Sequence, residues 1–201
     1  MTEESPIDTA SRSKNRRKLV LLFAVAFVPM FIAYAMFFYV PALIPATTTN
    51  EGQLIQPPLA AAVLQTQETL DIPLGVWTVL IPVAAHCDDH CQQRLYLSRQ
   101  IKIGFGKDAE RLQRVALLET DPDAAYAALV AAEHPDLLSH VYNAKALQAA
   151  LDSALPVPMP ITDGILLMDP NGNIMMLYSF DKIGAPMRKD IKHLLKISNI
   201  G

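Results

Sequence analysis

The sequence contains little cysteine and little net charge. Only two of its 201 residues are cysteine, and 17 lysines and arginines against 20 aspartates and glutamates leave a net charge of −3. Surfaces that bind nucleic acid need clustered positive charge, so this balance argues against a DNA- or RNA-binding protein. The sequence also has no phosphate-binding loop, no Ser-His-Asp order and no paired-carboxylate constellation. Hydrolase and kinase functions therefore have no support.

Both cysteines lie in one short motif, CDDHC, at residues 87–91. The run before it, Trp77–Val83, is rich in branched apolar residues and is typical of a buried strand. From Gln92 onward the spacing of apolar residues becomes helical. Asp88 and Asp89 are suited to a helix start, where carboxylates accept from free N–H groups and lie at the positive end of the dipole. The motif is therefore predicted to form a strand-to-helix turn.

The position of this turn leaves three chemical interpretations open. If the helix begins near Cys87, residues 87, 90 and 91 share one helix face, so Cys87, His90 and Cys91 converge on one point. Two thiolates are soft ligands that select Cu(I) or zinc, with the imidazole as a third donor. The same thiols can instead form a redox-active disulfide, favoured by the lowered pKa of a thiol at a helix N-terminus. The third interpretation is a pair of buried structural cysteines.

The N-terminal part of the chain carries a long apolar run. Leu19–Val40 holds no charged residue, and its 22 residues are long enough to cross the ~30 Å core of a bilayer as a helix. Five basic residues lie between positions 12 and 18, directly before this run. The positive-inside rule therefore predicts a single-pass protein of the inner (plasma) membrane, with a cytoplasmic N-terminus and a periplasmic C-terminal domain. The run exceeds the apolar region of a cleaved signal peptide, which favours an uncleaved anchor.

Composition divides the chain into four predicted segments. Residues 1–18 are predicted to be a disordered, basic cytoplasmic tail, and residues 19–40 a transmembrane helix. Residues 41–58 are rich in proline and threonine and are predicted to be a linker. Residues 59–201 form the predicted folded domain.

The folded domain shows an alternation of strands and helices. Strands are predicted at 77–83, 114–119, 137–142, 164–168 and 173–180, and helices from 92, over 124–133, from 143 to 155 and over 186–197. A β-α-β half followed by a β-β-α half predicts an α/β, thioredoxin-like domain with helices on both faces of the sheet.

Three motifs resemble the Sco/SenC family of membrane-anchored proteins associated with cytochrome c oxidase assembly. The CDDHC turn is similar to that family's Cys-x-x-x-Cys, and Gly106–Val115 (GKDAERLQRV) and Leu166–Gly172 (LLMDPNG) are similar to two further family segments. The resemblance covers roughly residues 75–197. It implies a thioredoxin-like fold, a membrane anchor and a role in handling Cu(I) or thiols. The implied partners are cytochrome c oxidase subunits or other assembly factors.

One departure from that family concerns the copper site. The family places a distal copper-binding histidine eight residues before the position of Asp169, where this sequence has Ile161. The third ligand would then be His90, a methionine or none. Three functions follow: a Sco-like factor that handles Cu(I) or thiols through Cys87 and Cys91, a periplasmic thiol-disulfide oxidoreductase, and a non-catalytic assembly scaffold.

Overall fold

A computed structural model describes residues 7–39, 49–66 and 72–198 of the chain, with side chains from residue 15 onward. The first six residues of the predicted tail and residues 41–48 of the predicted linker lie outside the described residues. The chain divides into two units, residues 1–49 and 50–201, and each is described by itself.

The first unit contains one long helix, α1, which spans Ile7–Tyr39. Within it, Asn15–Tyr39 is long and apolar enough to cross a membrane, with a mean hydropathy of 2.5 over its most apolar window. The helix continues through Pro29, as a transmembrane helix can. The helix begins at Ile7, so it includes residues 7–18 of the predicted tail.

The second unit is built on a six-stranded sheet in the order β1-β6-β5-β2-β3-β4. Strand β2 pairs in parallel with β3, and β3 with β4, whereas β1, β6, β5 and β2 pair antiparallel. The strands are β1 Gln53–Ala60, β2 Trp77–Val83, β3 Leu112–Leu118, β4 Leu137–Val141, β5 Gly164–Met168 and β6 Asn173–Ser179. The helices are α2 Asp89–Ile103, α3 Ala124–Glu133, α4 Ala144–Ala154 and α5 Ala185–Ile197. This is the thioredoxin-like arrangement predicted from the sequence.

Alternate residues of the central strands enter two separate cores. On one face, Val79 and Ile81 of β2 pack with Leu95 of α2, Tyr126 of α3 and Ile191 of α5. On the other face, the opposite set of side chains packs against Leu147 and Leu151 of α4. Because both faces are covered, β2 is buried along its whole length, which explains its continuous apolar sequence.

The turns and helix starts lie where short polar motifs predicted them. Asp123 accepts a hydrogen bond from the Tyr126 N–H at 2.7 Å at the start of α3, and Asn143 does the same for α4. In the β5–β6 hairpin, the Asp169 carboxylate accepts from the N–H groups of Asn171 and Asn173. Gly172 follows with a φ of +87°, a conformation that favours glycine. These local motifs confirm the predicted order from Trp77 onward.

Strand β1 corrects the predicted boundary of the linker. Gln53–Ala60 pairs with β6 on both sides of an irregularity that contains Pro57 and Pro58, so the linker does not extend to residue 58. Proline cannot donate to a ladder and occurs in sheets at edges and bulges, and β1 combines both positions. The start of this strand is held by Asp190 of α5, which accepts from the N–H groups of Glu51 and Gly52 at 2.7 and 3.1 Å.

Candidate functional site: the cysteine turn

The cysteine motif occupies the turn between β2 and α2. Strand β2 ends at Val83, residues 84–88 form the turn, and α2 begins at Asp89. Asp88 caps the helix, because its Oδ1 accepts a hydrogen bond from the Cys91 N–H at 2.8 Å. The sequence analysis predicted this capping role. Cys87 therefore lies just outside the helix, and Cys91 lies in its first turn.

Cys87 and Cys91 are joined by a disulfide. Their Cα atoms are 5.1 Å apart, shorter than the roughly 6 Å between residues i and i+4 of a regular helix. The shorter distance arises because the helix starts after Cys87, which leaves the first cysteine free to turn inward. The two sulfur atoms differ in their surroundings. Cys91 is buried, at 2% exposure, whereas Cys87 is only partly buried.

His90 is occupied by an aromatic contact. Its ring packs on that of Phe180, which follows β6, with the ring centroids 4.1 Å apart. Within residues 15–39, 49–66 and 72–198, no three His, Cys, Asp or Glu side chains are grouped so that they could hold a metal ion. The predicted convergence of Cys87, His90 and Cys91 on one point is therefore not found in this oxidised structure.

In its disulfide form, the turn offers no thiolate ligand for copper. Sulfur atoms bonded to each other are not thiolate ligands, and the imidazole of His90 packs on the Phe180 ring at an interplanar angle of 33°. Ile161, at the position of the family's distal histidine, is buried at 4% exposure and has no donor atom. Met176 is buried in the core and accepts from the Tyr178 hydroxyl.

His86 forms an exposed pair with Asp123. Its Nδ1 lies 3.4 Å from Oδ2 of Asp123, and the two side chains are 88% and 44% exposed. The Tyr126 N–H and then His86 lower the pKa of the Asp123 carboxyl. A pair this exposed contributes little to stability, so His86 is a surface residue of the turn.

The sequence analysis missed one residue of the site, Arg94. This arginine of α2 is 2% exposed, and its Nη1 donates to the carbonyl oxygens of Pro82 at 2.7 Å and Gly164 at 3.0 Å. Burial lowers the pKa of Arg94, and the negative charges of Asp88 and Asp163 act in the opposite direction. The signal available from sequence was its spacing, because Arg94 follows Cys91 by three residues and so lies on the same helix face.

One cleft of the domain is lined by residues outside the cysteine turn. Its volume is about 880 Å³, and it is lined by residues that follow β3 and β4 and by the first turns of α4. Its charged lining residues, Glu119, Lys145 and Asp152, are of both signs, and neither cysteine contributes to it. The disulfide is thus a surface site, accessible through Cys87.

Fold and site together define a membrane-anchored protein with a thioredoxin-like domain and a disulfide at its strand-to-helix turn. Residues 77–198 match the protein family described as "Transmembrane-like, thioredoxin-like, C-terminal domain", and residues 9–40 match "Transmembrane-like, N-terminal domain". The chain belongs to this transmembrane-like, thioredoxin-like family. The comparison with curated proteins finds no significant match by sequence.

Solved structures similar to this chain include members of the Sco group. Copper-bound yeast Sco1 has a TM-score of 0.51 at 15% identity, covering 76% of this chain and 96% of that protein. Copper-bound ScoI of Bradyrhizobium japonicum scores 0.43 at 20% identity, covering 60% and 86%. The thioredoxin domain of a thiol-disulfide oxidoreductase of Bacteroides vulgatus scores 0.44 at 14% identity, covering 71% and 96%. At 15% identity the similarity to yeast Sco1 concerns the fold alone, and with the family match it confirms the predicted thioredoxin-like architecture.

Proposed function

We propose that this protein is a membrane-anchored thiol-disulfide exchange factor that serves heme-copper oxidase assembly, with Cys87 and Cys91 as its redox pair. The observation that carries the proposal is the disulfide with its unequal exposure. The partly exposed Cys87 is open to a partner, whereas the buried Cys91 can reach only Cys87. An accessible sulfur beside a protected one is what exchange through a mixed disulfide requires.

The exchange balances in two steps. In the reduced chain, the Cys87 thiolate attacks a disulfide of the partner, which forms a mixed disulfide and releases one partner thiolate. The Cys91 thiolate then attacks the Cys87 sulfur, which closes the Cys87–Cys91 disulfide and releases the second partner thiolate. The partner disulfide gains two electrons and the chain loses two; the two protons that leave the chain's thiols as they ionise are balanced by two that the released partner thiolates take up from solvent. A separate dithiol donor must return the chain to its reduced form.

Trapping of the mixed disulfide tests this mechanism. In Cys91→Ser, the second step cannot occur, so a covalent complex through Cys87 is expected to accumulate and to dissolve on reduction. Cys87→Ser is the matched control and should trap nothing, because the remaining thiol is buried. Equal trapping by both variants, or by neither, would contradict the proposed order of attack.

The assignment to oxidase assembly is supported by the Sco/SenC resemblance and by the membrane anchor. The expected partners are oxidase subunits that carry copper-site cysteines, or other assembly factors. Mass spectrometry of the trapped complex identifies the partner directly. A strain that carries Cys87→Ser and Cys91→Ser together should lose oxidase activity and recover it with the wild-type gene. Full oxidase activity in that strain would instead favour the scaffold function.

The proposed orientation places residues 41–201 in the periplasm. It is supported by the basic residues before the apolar helix, since such residues are retained in the cytoplasm. A C-terminal alkaline phosphatase fusion should be active, and a C-terminal cytoplasmic reporter should be silent. The reverse result would overturn the orientation.

A further inference from the structure

A buried arginine lies one helical turn after the buried cysteine. Cys91 and Arg94 are each 2% exposed and are separated by three residues of α2. Residues at this spacing are neighbours on one helix face, with Cβ atoms roughly 5–6 Å apart. An arginine on the buried face of α2 is unusual, because Leu95 and Ile101 on the same face are apolar core residues.

The hydrogen bonds of Arg94 place its guanidinium beneath the cysteine turn. One acceptor is the carbonyl of Pro82, the penultimate residue of β2, and the other is the carbonyl of Gly164, the first residue of β5. Residues 84–88 leave the sheet at this same edge and carry Cys87. Nε of Arg94 is buried without a hydrogen-bond partner among the described residues.

The charge of Arg94 is not matched by an ion pair. No salt bridge between described residues includes it. Asp88 and Asp163 act on it only at longer range, and the nearby hydroxyl of Tyr142 is itself buried without a hydrogen-bond partner among the described residues. A buried, unpaired charge is costly, and a neutral donor would satisfy two carbonyls equally well. The positive charge itself therefore needs an explanation.

Arg114 provides an internal comparison. It is also fully buried under α2, but its Nη2 lies 3.4 Å from Oδ1 of Asp136. It pairs in register with Val79, four residues before the end of β2, which is about 13 Å along the strand. Arg114 is thus a buried arginine that has a carboxylate partner and lies away from the disulfide, so it serves as the control for Arg94.

We infer that Arg94 is a positioning residue of the redox pair, whose charge stabilises the thiolate that Cys91 carries when the disulfide is reduced. The disulfide plus two electrons and one proton gives the Cys91 thiolate and the Cys87 thiol, and the Cys87 thiol loses its proton to solvent before it attacks a partner. Arg94 supplies the counter-charge for that thiolate, and the electrons come from a thiol donor. A stabilised reduced form raises the reduction potential, so a weaker donor suffices to regenerate the chain. The inference rests on the proposed exchange function.

The test measures the reduction potential of the full chain in detergent by equilibration with reduced and oxidised glutathione. The fraction of reduced protein is read by thiol alkylation and mass spectrometry. Arg94→Gln and Arg94→Met remove the charge, and Arg94→Lys keeps it. We expect the two neutral variants to lower the equilibrium constant for reduction about tenfold or more, which is ~30 mV. Arg94→Lys should stay within about threefold of wild type, and Arg114→Gln should not shift the potential.

A purely structural role gives a different pattern. A structural role would lower the stability of all Arg94 variants, as measured by circular dichroism. It would leave the reduction potentials of the folded variants unchanged, and that result would overturn the inference. Two neutral variants are used so that a folded one is available even if the other does not fold. If the wild-type disulfide does not exchange with glutathione, the proposed function fails and this inference with it. If the disulfide exchanges with glutathione but its reduction potential does not change in the Arg94 variants, only this inference fails.

Discussion

Asp190 holds the start of the folded domain, and its removal is expected to destabilise the domain strongly. The carboxylate is 6% exposed and accepts three hydrogen bonds through Oδ2, from the N–H groups of Glu51 and Gly52 and from the Tyr178 hydroxyl at 3.2 Å. Asp190→Ala leaves these donors without their charged acceptor. A buried donor left without its acceptor costs about 1–3 kcal/mol, so the loss of the shared acceptor of three donors is expected to cost about 3–5 kcal/mol. That is a large fraction of the roughly 5–15 kcal/mol that stabilises a domain.

The assay for Asp190 uses the only tryptophan, Trp77, which is buried in β2 and reports unfolding by fluorescence. With a slope of about 2 kcal/mol per molar urea, the midpoint should fall by roughly 1.5–2.5 M. Asp190→Asn keeps an oxygen acceptor and should lose less. Asp152→Ala, an exposed aspartate bonded only to Gln148, is the matched control and should change stability by less than about 0.5 kcal/mol. Equal midpoints for Asp190→Ala and Asp152→Ala would refute the reasoning.

The remaining predictions concern redox state, pH and copper. Reduction of the Cys87–Cys91 disulfide should lower the free energy of unfolding by only about 2 kcal/mol, because the disulfide closes a short loop. Urea titrations with and without a reductant measure this difference, and unfolding of the reduced domain would contradict the prediction. Burial and then the charge of Arg114 lower the pKa of His134, so the unfolded chain protonates first as the pH falls through about 6.5. The free energy of unfolding should therefore be highest above that pH and decline towards pH 5.5, and His134→Gln should reduce this decline. An equal decline in the wild type and the variant would exclude His134 as its cause. The reduced chain should bind at most one Cu(I), weakly, because Ile161 offers no donor. Competition with a Cu(I) chelator tests this, Cys87→Ser should abolish the binding, and tight binding by the wild type would show that a third ligand is recruited.

Local sequence signals account for most of the fold and for half of the site. The apolar run of β2 and the cap at Asp88 involve neighbouring residues, so both could be predicted, and with them the position of the disulfide. The strand at Gln53–Ala60 could not, because Pro57 and Pro58 are typical of linkers and its partner, β6, lies more than a hundred residues further along the chain. Strand pairing over such a separation leaves no local pattern.

The surroundings of His90 and of Arg94 could not be predicted from the sequence, for a related reason. The position of His90 on the helix is compatible with a ligand, but its ring packs on that of Phe180, which follows β6 and lies ninety residues further along the chain. Arg94 resembles any charged residue of a surface helix until the carbonyls of Pro82 and Gly164 are brought beneath it. In both cases a residue distant in sequence determines the surroundings of the side chain. The spacing of residues along the helix gives no information about that distant residue.

The prolines of β1 also bear on how neighbouring copies meet. A membrane anchor confines proteins to a plane, which raises the frequency of encounters between their domains. An open sheet edge is a template for pairing with another chain, and β1 is one of the two edges of this sheet. Pro57 and Pro58 have no N–H to offer, and the ladder is interrupted around them. The β1 edge, which follows the membrane helix in sequence, is therefore poorly suited to pairing with a strand of another copy. This favours separate domains when many copies lie close together in the membrane.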